Sequence, residues 1–173
     1  MGAIAAHRVV TRRAEPGRPA PAAPSVRVGA LAGLAFLPFM LGISLAQQEL
    51  YEAAKWKFEG QRVVQDALRG DDATLVALAY FAVVVAPFYE EWVFRWWLHG
   101  GLRRFMGRAP ALLLSSAAFS LYHLEPDAFP VTFALGLAAG ALRERTGGLH
   151  APIALHACYN AVQVLGILSA RGG

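Results

Sequence analysis

The chain has 173 residues, 56% of them hydrophobic, and a mean hydropathy of +0.40. Soluble domains average roughly 45–50% apolar residues, and one of this size could not bury so much apolar surface, so composition excludes an ordinary soluble protein and favours one compact domain embedded in lipid. The net charge of +4 does not indicate nucleic-acid binding, because the arginines cluster beside apolar segments, as topology signals do, and few aromatic residues lie among them.

The first part of the chain predicts a tail, a span and an interfacial helix. Residues 1–27 are rich in Ala, Pro and Arg, and we predict that they are disordered. The second part, residues 28–72, opens with an uncharged apolar run that is too long for a signal peptide and lacks a small-residue cleavage site, so we interpret it as an anchored span. Residues 47–72 are charged and carry apolar residues at the spacing of one helical face, which predicts an amphipathic helix at the membrane interface. Asp71 and Asp72 at its end can cap the next helix.

The third part, residues 73–170, is the predicted membrane core and contains four further apolar segments. They cover about residues 73–102, 109–124, 129–142 and 151–169. The middle two are shorter than the ~20 residues of a full span and can pack inside a bundle. The predicted fold is therefore all-α, a polytopic transmembrane helical bundle of about five spans plus the interfacial helix. Alternating basic and acidic loops place the N-terminus in the cytoplasm of a multi-pass protein, for which we expect a bacterial inner membrane.

Two adjacent carboxylates and an arginine, Glu90, Glu91 and Arg95, interrupt the second apolar segment. Ionisable groups in a span cost roughly 2.5–3.5 kcal/mol each and are usually functional. Glu91 and Arg95 are four residues apart, so they share a helix face and can form an ion pair. Glu90 lies on a neighbouring face without such a partner and is therefore the free carboxylate.

Two more pairs have the same spacing, namely Phe119 with His123 and His156 with Asn160. A desolvated carboxylate such as Glu90 can take a proton from water, and an imidazole opposite it can hold that water. A second histidine and an asparagine can donate hydrogen bonds to a carbonyl oxygen as it becomes an oxyanion. Together the three pairs predict amide hydrolysis without a metal or a covalent intermediate.

Each pair also has a structural interpretation. Glu91 with Arg95 can be a buried packing pair, and His156 with Asn160 can join two helices by hydrogen bonds. Cys158, the only cysteine, lies between His156 and Asn160 and could be a nucleophile, but a small buried apolar residue is the commoner role. Three such pairs in one short chain favour a catalytic site.

In order and spacing, these residues resemble the motifs of the CAAX protease and bacteriocin-processing family, also called CPBP or Abi, over about residues 75–168. Glu90, Glu91 and Arg95 correspond to its E-E-x-x-x-R motif, and Phe119 and His123 correspond to its F-x-x-x-H motif. Phe133, Gly136 and Gly140 resemble its glycine-bearing motif. His156 and Asn160 correspond to its H-x-x-x-N motif.

The resemblance implies an intramembrane glutamic endopeptidase. In such an enzyme Glu90 would activate water with His123, His156 and Asn160 would stabilise the oxyanion, and Glu91, Arg95 and Phe119 would support the site. No cofactor is implied, although Glu90, His123 and His156 could instead ligate zinc in a metalloprotease. The partners would be the lipid bilayer and a protein or peptide with a membrane-associated C-terminal tail, as in myxosortases. A non-catalytic immunity or partner protein that retains the fold, and a small transporter, are the alternatives from other classes.

Overall fold

The computed structural model describes residues 22–57 and 62–172, and all regular structure in these ranges is helical. The helices are α1 (Ala22–Ala54), α2 (Arg62–Arg69), α3 (Asp72–Phe105), α4 (Arg108–Tyr122), α5 (Phe129–Thr146) and α6 (His150–Gly172), with a 3₁₀ turn at Pro126–Ala128. The predicted all-α membrane bundle is confirmed. Three helices are long and apolar enough to cross a membrane: α1 from Ser25, α3 and α6.

Length and composition support three of the five predicted spans. Helix α4 has 15 residues, or about 22 Å at 1.5 Å per residue, which is shorter than the ~30 Å hydrocarbon layer. Helix α5 has 18 residues, but its last turn carries charged side chains. Both helices pack against each other and against α3 or α6, so that they complete the interior of the bundle.

Two predicted boundaries differ from the structure. Helix α1 begins at Ala22, inside the segment predicted as a disordered tail, and residues 1–21 lie outside the described residues. It also continues to Ala54, because residues 43–54 contain no proline or glycine and consist largely of good helix formers. Lys55, with a φ of 54°, ends the helix. The predicted amphipathic helix is therefore reduced to the eight residues of α2.

Helix α3 carries the two adjacent carboxylates and is not a uniform α-helix. Asp71 caps it, as predicted, by accepting a hydrogen bond from the Thr74 N–H at 2.8 Å. Two stretches, Phe81–Val85 and Trp92–His99, have π-helical geometry. Such stretches occur frequently at functional sites, and here they flank Glu90 and Glu91 on both sides.

Glycines allow α5 to approach α4 closely. A Cβ added at Gly136 would lie 3.0 Å from the Cβ of Ser116, and one added at Gly140 would overlap the Leu112 side chain. Larger residues would push the two helices apart. The glycine spacing in the sequence therefore serves close packing, which holds the end of α4, where His123 lies, against the rest of the bundle.

A polar cluster, buried at His99 and Glu144 and exposed at its two arginines, ties α3, α4 and α5 together at one end of the bundle. Glu144 accepts hydrogen bonds from His99 Nε2 at 3.1 Å and pairs with Arg103 Nε at 3.3 Å and with Arg108. His99 Nδ1 lies 3.2 Å from the Ser115 hydroxyl. Because these contacts join α3, α4 and α5, the cluster helps to hold in place the two helices that carry Glu90 and His123.

Candidate active site

One cavity of about 260 Å³ is lined by the four residues predicted to be catalytic. Glu90 comes from α3, His123 from the end of α4, and His156 and Asn160 from α6. Beyond these polar groups the cavity wall is largely apolar, and Val64 and Ala67 of α2 form part of it. The fold thus brings polar groups from three helices, far apart in sequence, to the wall of one largely apolar cavity.

The adjacent carboxylates occupy different environments. The Glu90 side chain is 12% exposed and lines the cavity, whereas Glu91 and Arg95 are fully buried and do not line it. The predicted ion pair is present, with Arg95 Nε 3.1 Å from Glu91 Oε2. Glu90 is therefore the carboxylate that a substrate or water in the cavity can reach, while Glu91 lies behind it.

Phe119 supports several of these groups with one aromatic ring. It is fully buried, and its ring lies 4.4 Å from the Arg95 guanidinium carbon. The rings of His123 and His156 pack edgewise against it, with centroids 5.0 Å and 5.6 Å away. A smaller residue at position 119 would leave both imidazoles and the guanidinium without a common packing surface.

His156 lies between the two carboxylates. Its Nδ1 is 3.1 Å from Glu91 Oε1, and its Nε2 is 3.8 Å from Glu90 Oε2. Since an ionised carboxylate can only accept a hydrogen bond, the Nδ1–H group of His156 is the donor and Glu91 is the acceptor. The sequence did not predict this contact, because the two residues are 65 positions apart and helix periodicity relates only residues on one helix.

His123 is oriented by the backbone of its own helix. Its Nδ1 lies 2.9 Å from the Phe119 carbonyl oxygen. A carbonyl oxygen only accepts, so Nδ1 carries a proton and, in the neutral ring, Nε2 carries the free lone pair. This tautomer leaves Nε2 as the nitrogen that can accept a hydrogen bond from a water molecule in the cavity.

Asn160 uses one amide proton to bind the backbone of α3. Its Nδ2 donates to the Ala82 carbonyl oxygen at 2.7 Å, across 78 positions of sequence. The bond fixes the orientation of the side-chain amide at the cavity wall. The second Nδ2 proton is left for a ligand, because each side-chain amide nitrogen has two protons.

The three residues considered as zinc ligands from the sequence, Glu90, His123 and His156, do not form a three-ligand group. Among the described residues, no three side chains of His, Cys, Asp or Glu are placed to hold one ion. Of the residues offered for zinc, His156 directs Nδ1 at Glu91 and His123 directs Nδ1 at a backbone carbonyl.

Cys158 faces away from the cavity. It packs against α1, where a Cβ added at Gly33 would lie 2.9 Å from the Cys158 Cβ, and it does not line the cavity. Its neighbours His156 and Asn160 lie on the other side of α6. The thiol is therefore not placed to attack a substrate in this cavity.

Comparison with known proteins gives one match. A family model described as type II CAAX prenyl endopeptidase, Rce1-like, matches residues 72–162. This segment is slightly more than half of the chain and includes Glu90, His123, His156 and Asn160. No curated protein and no solved structure matches the chain.

Proposed function

Because the chain belongs to the Rce1-like family of type II CAAX prenyl endopeptidases, we propose that it is an intramembrane glutamic endopeptidase that cleaves a membrane-associated protein or peptide near its C-terminus. The observation that supports this most is the shared cavity, in which Glu90, His123, His156 and Asn160 meet inside a membrane bundle. A substrate tail embedded in the bilayer can reach such a cavity without leaving the lipid.

In the proposed reaction, Glu90 is the general base. It takes a proton from a water molecule that also donates to the free Nε2 of His123, and the water oxygen attacks the scissile carbonyl carbon. The proton then passes from Glu90 to the amide nitrogen as the C–N bond breaks. The products are a new carboxyl terminus and a free amine, and no covalent bond to the protein forms.

Asn160 and His156 would stabilise the charge that develops on the carbonyl oxygen. The second Nδ2 proton of Asn160 is one donor. His156, with a proton on each ring nitrogen, would supply the other from Nε2 while its Nδ1 continues to donate a hydrogen bond to Glu91. Arg95, which is fully buried beside Glu91, balances the charge of that carboxylate. Because Asn160 and His156 are each held by a hydrogen bond to α3, these donors would need little reorganisation when the charge appears.

The substrate would enter from the bilayer. We propose that it carries a membrane-associated C-terminal tail, either prenylated, as the family description indicates, or an unmodified apolar tail of the kind that a myxosortase trims. We further propose that the protein lies in a bacterial inner membrane with its N-terminus in the cytoplasm, an orientation that the alternation of basic and acidic loops favours.

The function is tested by comparing membrane proteins from cells that contain the chain with those from cells that lack it. Mass spectrometry of C-terminal peptides should find at least one protein whose C-terminus is shortened only in the presence of the chain. Cells carrying a Glu90→Gln chain are the matched control and should show the uncut terminus. An identical set of C-termini in all three samples would favour a non-catalytic partner protein instead.

We expect cleavage to be independent of zinc. Glu90 and His123 can activate water without a metal, so exhaustive chelation should change the turnover number by less than about twofold. Elemental analysis of the purified protein should find less than about one zinc per ten chains. A protein that holds one zinc per chain, loses activity on its removal and regains it on its return would be a metalloprotease.

A further inference from the structure

The hydrogen-bond register of α3 changes just before the adjacent carboxylates. In the π-helical stretch Phe81–Val85, the N–H of Ala86 donates to the carbonyl of Phe81, five residues back. In the same register, the next donor would be the backbone N–H of residue 87, which would donate a hydrogen bond to the carbonyl of Ala82.

Residue 87 is a proline and cannot make this bond. Proline has no backbone N–H, so the Ala82 carbonyl loses the donor that the π-helical register would give it. A carbonyl without a partner in a membrane bundle costs free energy, and another donor is favoured to fill its place. The side-chain amide of Asn160 does so, at 2.7 Å.

The replacement bond has a consequence for the proposed reaction. Asn160 is fixed by one amide proton to α3, the helix that also carries Glu90, so its second proton has a defined position relative to that carboxylate. Without the bond, the amide could rotate about its side-chain torsions, and the donor to the oxyanion would be placed less accurately. Such misplacement reduces the rate without changing the residue that donates.

We propose that Pro87 is a positioning residue for the hydrolysis: because it lacks an N–H, it leaves the Ala82 carbonyl free to hold and orient the amide of Asn160. The inference rests on the proposed function for its effect on rate. The hydrogen bond itself has a second effect, on stability, that does not depend on catalysis.

The first test is Pro87→Ala in the full-length protein, assayed with a fluorogenic prenylated CAAX peptide. The alanine N–H can bind the Ala82 carbonyl and release Asn160, so kcat should fall at least about tenfold while KM stays within about twofold. The melting temperature in detergent should not fall, because alanine favours a helix interior where proline does not.

Pro38→Ala is the matched control. Pro38 also lies inside a helix, but it is far from Ala82 in sequence and outside the cavity lining. The kcat of this control variant should not change.

The second test is a double-mutant cycle with Asn160→Ala, read by melting temperature. Asn160→Ala should lower the melting temperature of the wild-type chain, but lower it much less when Pro87→Ala is present, because the bond to Ala82 is already replaced. Equal effects in both backgrounds would contradict the inference. So would a normal kcat in Pro87→Ala, or a fall in kcat accompanied by a matching loss of stability. If the wild-type chain cleaves neither the prenylated CAAX peptide nor a peptide with an unmodified apolar tail, the proposed function fails, and the cycle on stability alone still decides whether Pro87 directs Asn160 to Ala82.

Discussion

Glu90→Gln is expected to lower kcat by at least about 100-fold and to leave the protein folded. The amide has the shape of the carboxylate and can still accept a hydrogen bond, but it cannot take a proton from water. Glu90 lines the cavity and makes no ion pair with an arginine on its own helix, and its contact with His156 is long, at 3.8 Å, so the amide replaces the carboxylate without breaking a close ion pair. In this variant, turnover should therefore fall while the melting temperature in detergent stays close to that of the wild-type chain.

The measurement is single-turnover cleavage of the same prenylated peptide, with Cys158→Ala as the matched control. Cys158 lies on the opposite side of α6 from the cavity, so its substitution should leave turnover and stability close to wild type. Near-normal turnover in Glu90→Gln would show that another group is the base. Lost turnover in Cys158→Ala, with normal expression, would instead support a thiol nucleophile.

Glu91→Ala is expected to be a folding defect, with the free energy of unfolding reduced by about 3–5 kcal/mol. The substitution leaves the Arg95 guanidinium charged and fully buried without its carboxylate. It also removes the acceptor of the His156 Nδ1 proton, which joins α6 to α3. Two helices lose a shared polar contact, so yield and melting temperature in detergent should both fall clearly.

A second substitution separates the two effects of Glu91. In Glu91→Ala with Arg95→Leu, no unpaired charge remains, and much of the lost stability should return. Activity should remain low, because His156 still lacks its partner. A single Glu91→Ala variant that is well folded but wholly inactive would assign Glu91 a direct role in catalysis instead.

Helix periodicity was enough to predict contacts within one helix. The spacing of Glu91 and Arg95 predicted their ion pair, and the spacing of Phe119 and His123 placed them on one face, where their rings are in contact. The rotation of Glu90 away from Glu91 predicted that only one carboxylate would be free, and only Glu90 lines the cavity. These relations depend on 3.6 residues per turn and on nothing outside the helix.

Contacts between helices could not be predicted in this way. The bonds of Glu91 to His156 and of Asn160 to Ala82 depend on how α6 packs against α3, and packing angles are not encoded in the period of a single helix. One sequence signal did bear on the second bond. Pro87 inside an apolar helix predicts that a nearby backbone carbonyl lacks its N–H donor, although it does not predict which side chain will bind that carbonyl.

The end of the first helix shows a different limit. Residues 47–54 are polar enough to predict an interfacial segment, yet they extend α1 without a break. Polarity reports which solvent a residue prefers, whereas a helix ends only where the backbone is interrupted, here at Lys55. The composition of this region therefore did not predict where the helix ends.

The placement of Glu91 and Arg95 on the same helix also bears on how the chain is inserted during synthesis. An i, i+4 pair forms as soon as the helix forms, so α3 can pass from the translocon into lipid with this acid and this base already neutralising each other. Had the arginine stood on α6, each charge would have entered the bilayer alone, at roughly 2.5–3.5 kcal/mol apiece. The helix that bears the most charged part of the site is thus able to enter the membrane before its partner helices have been made.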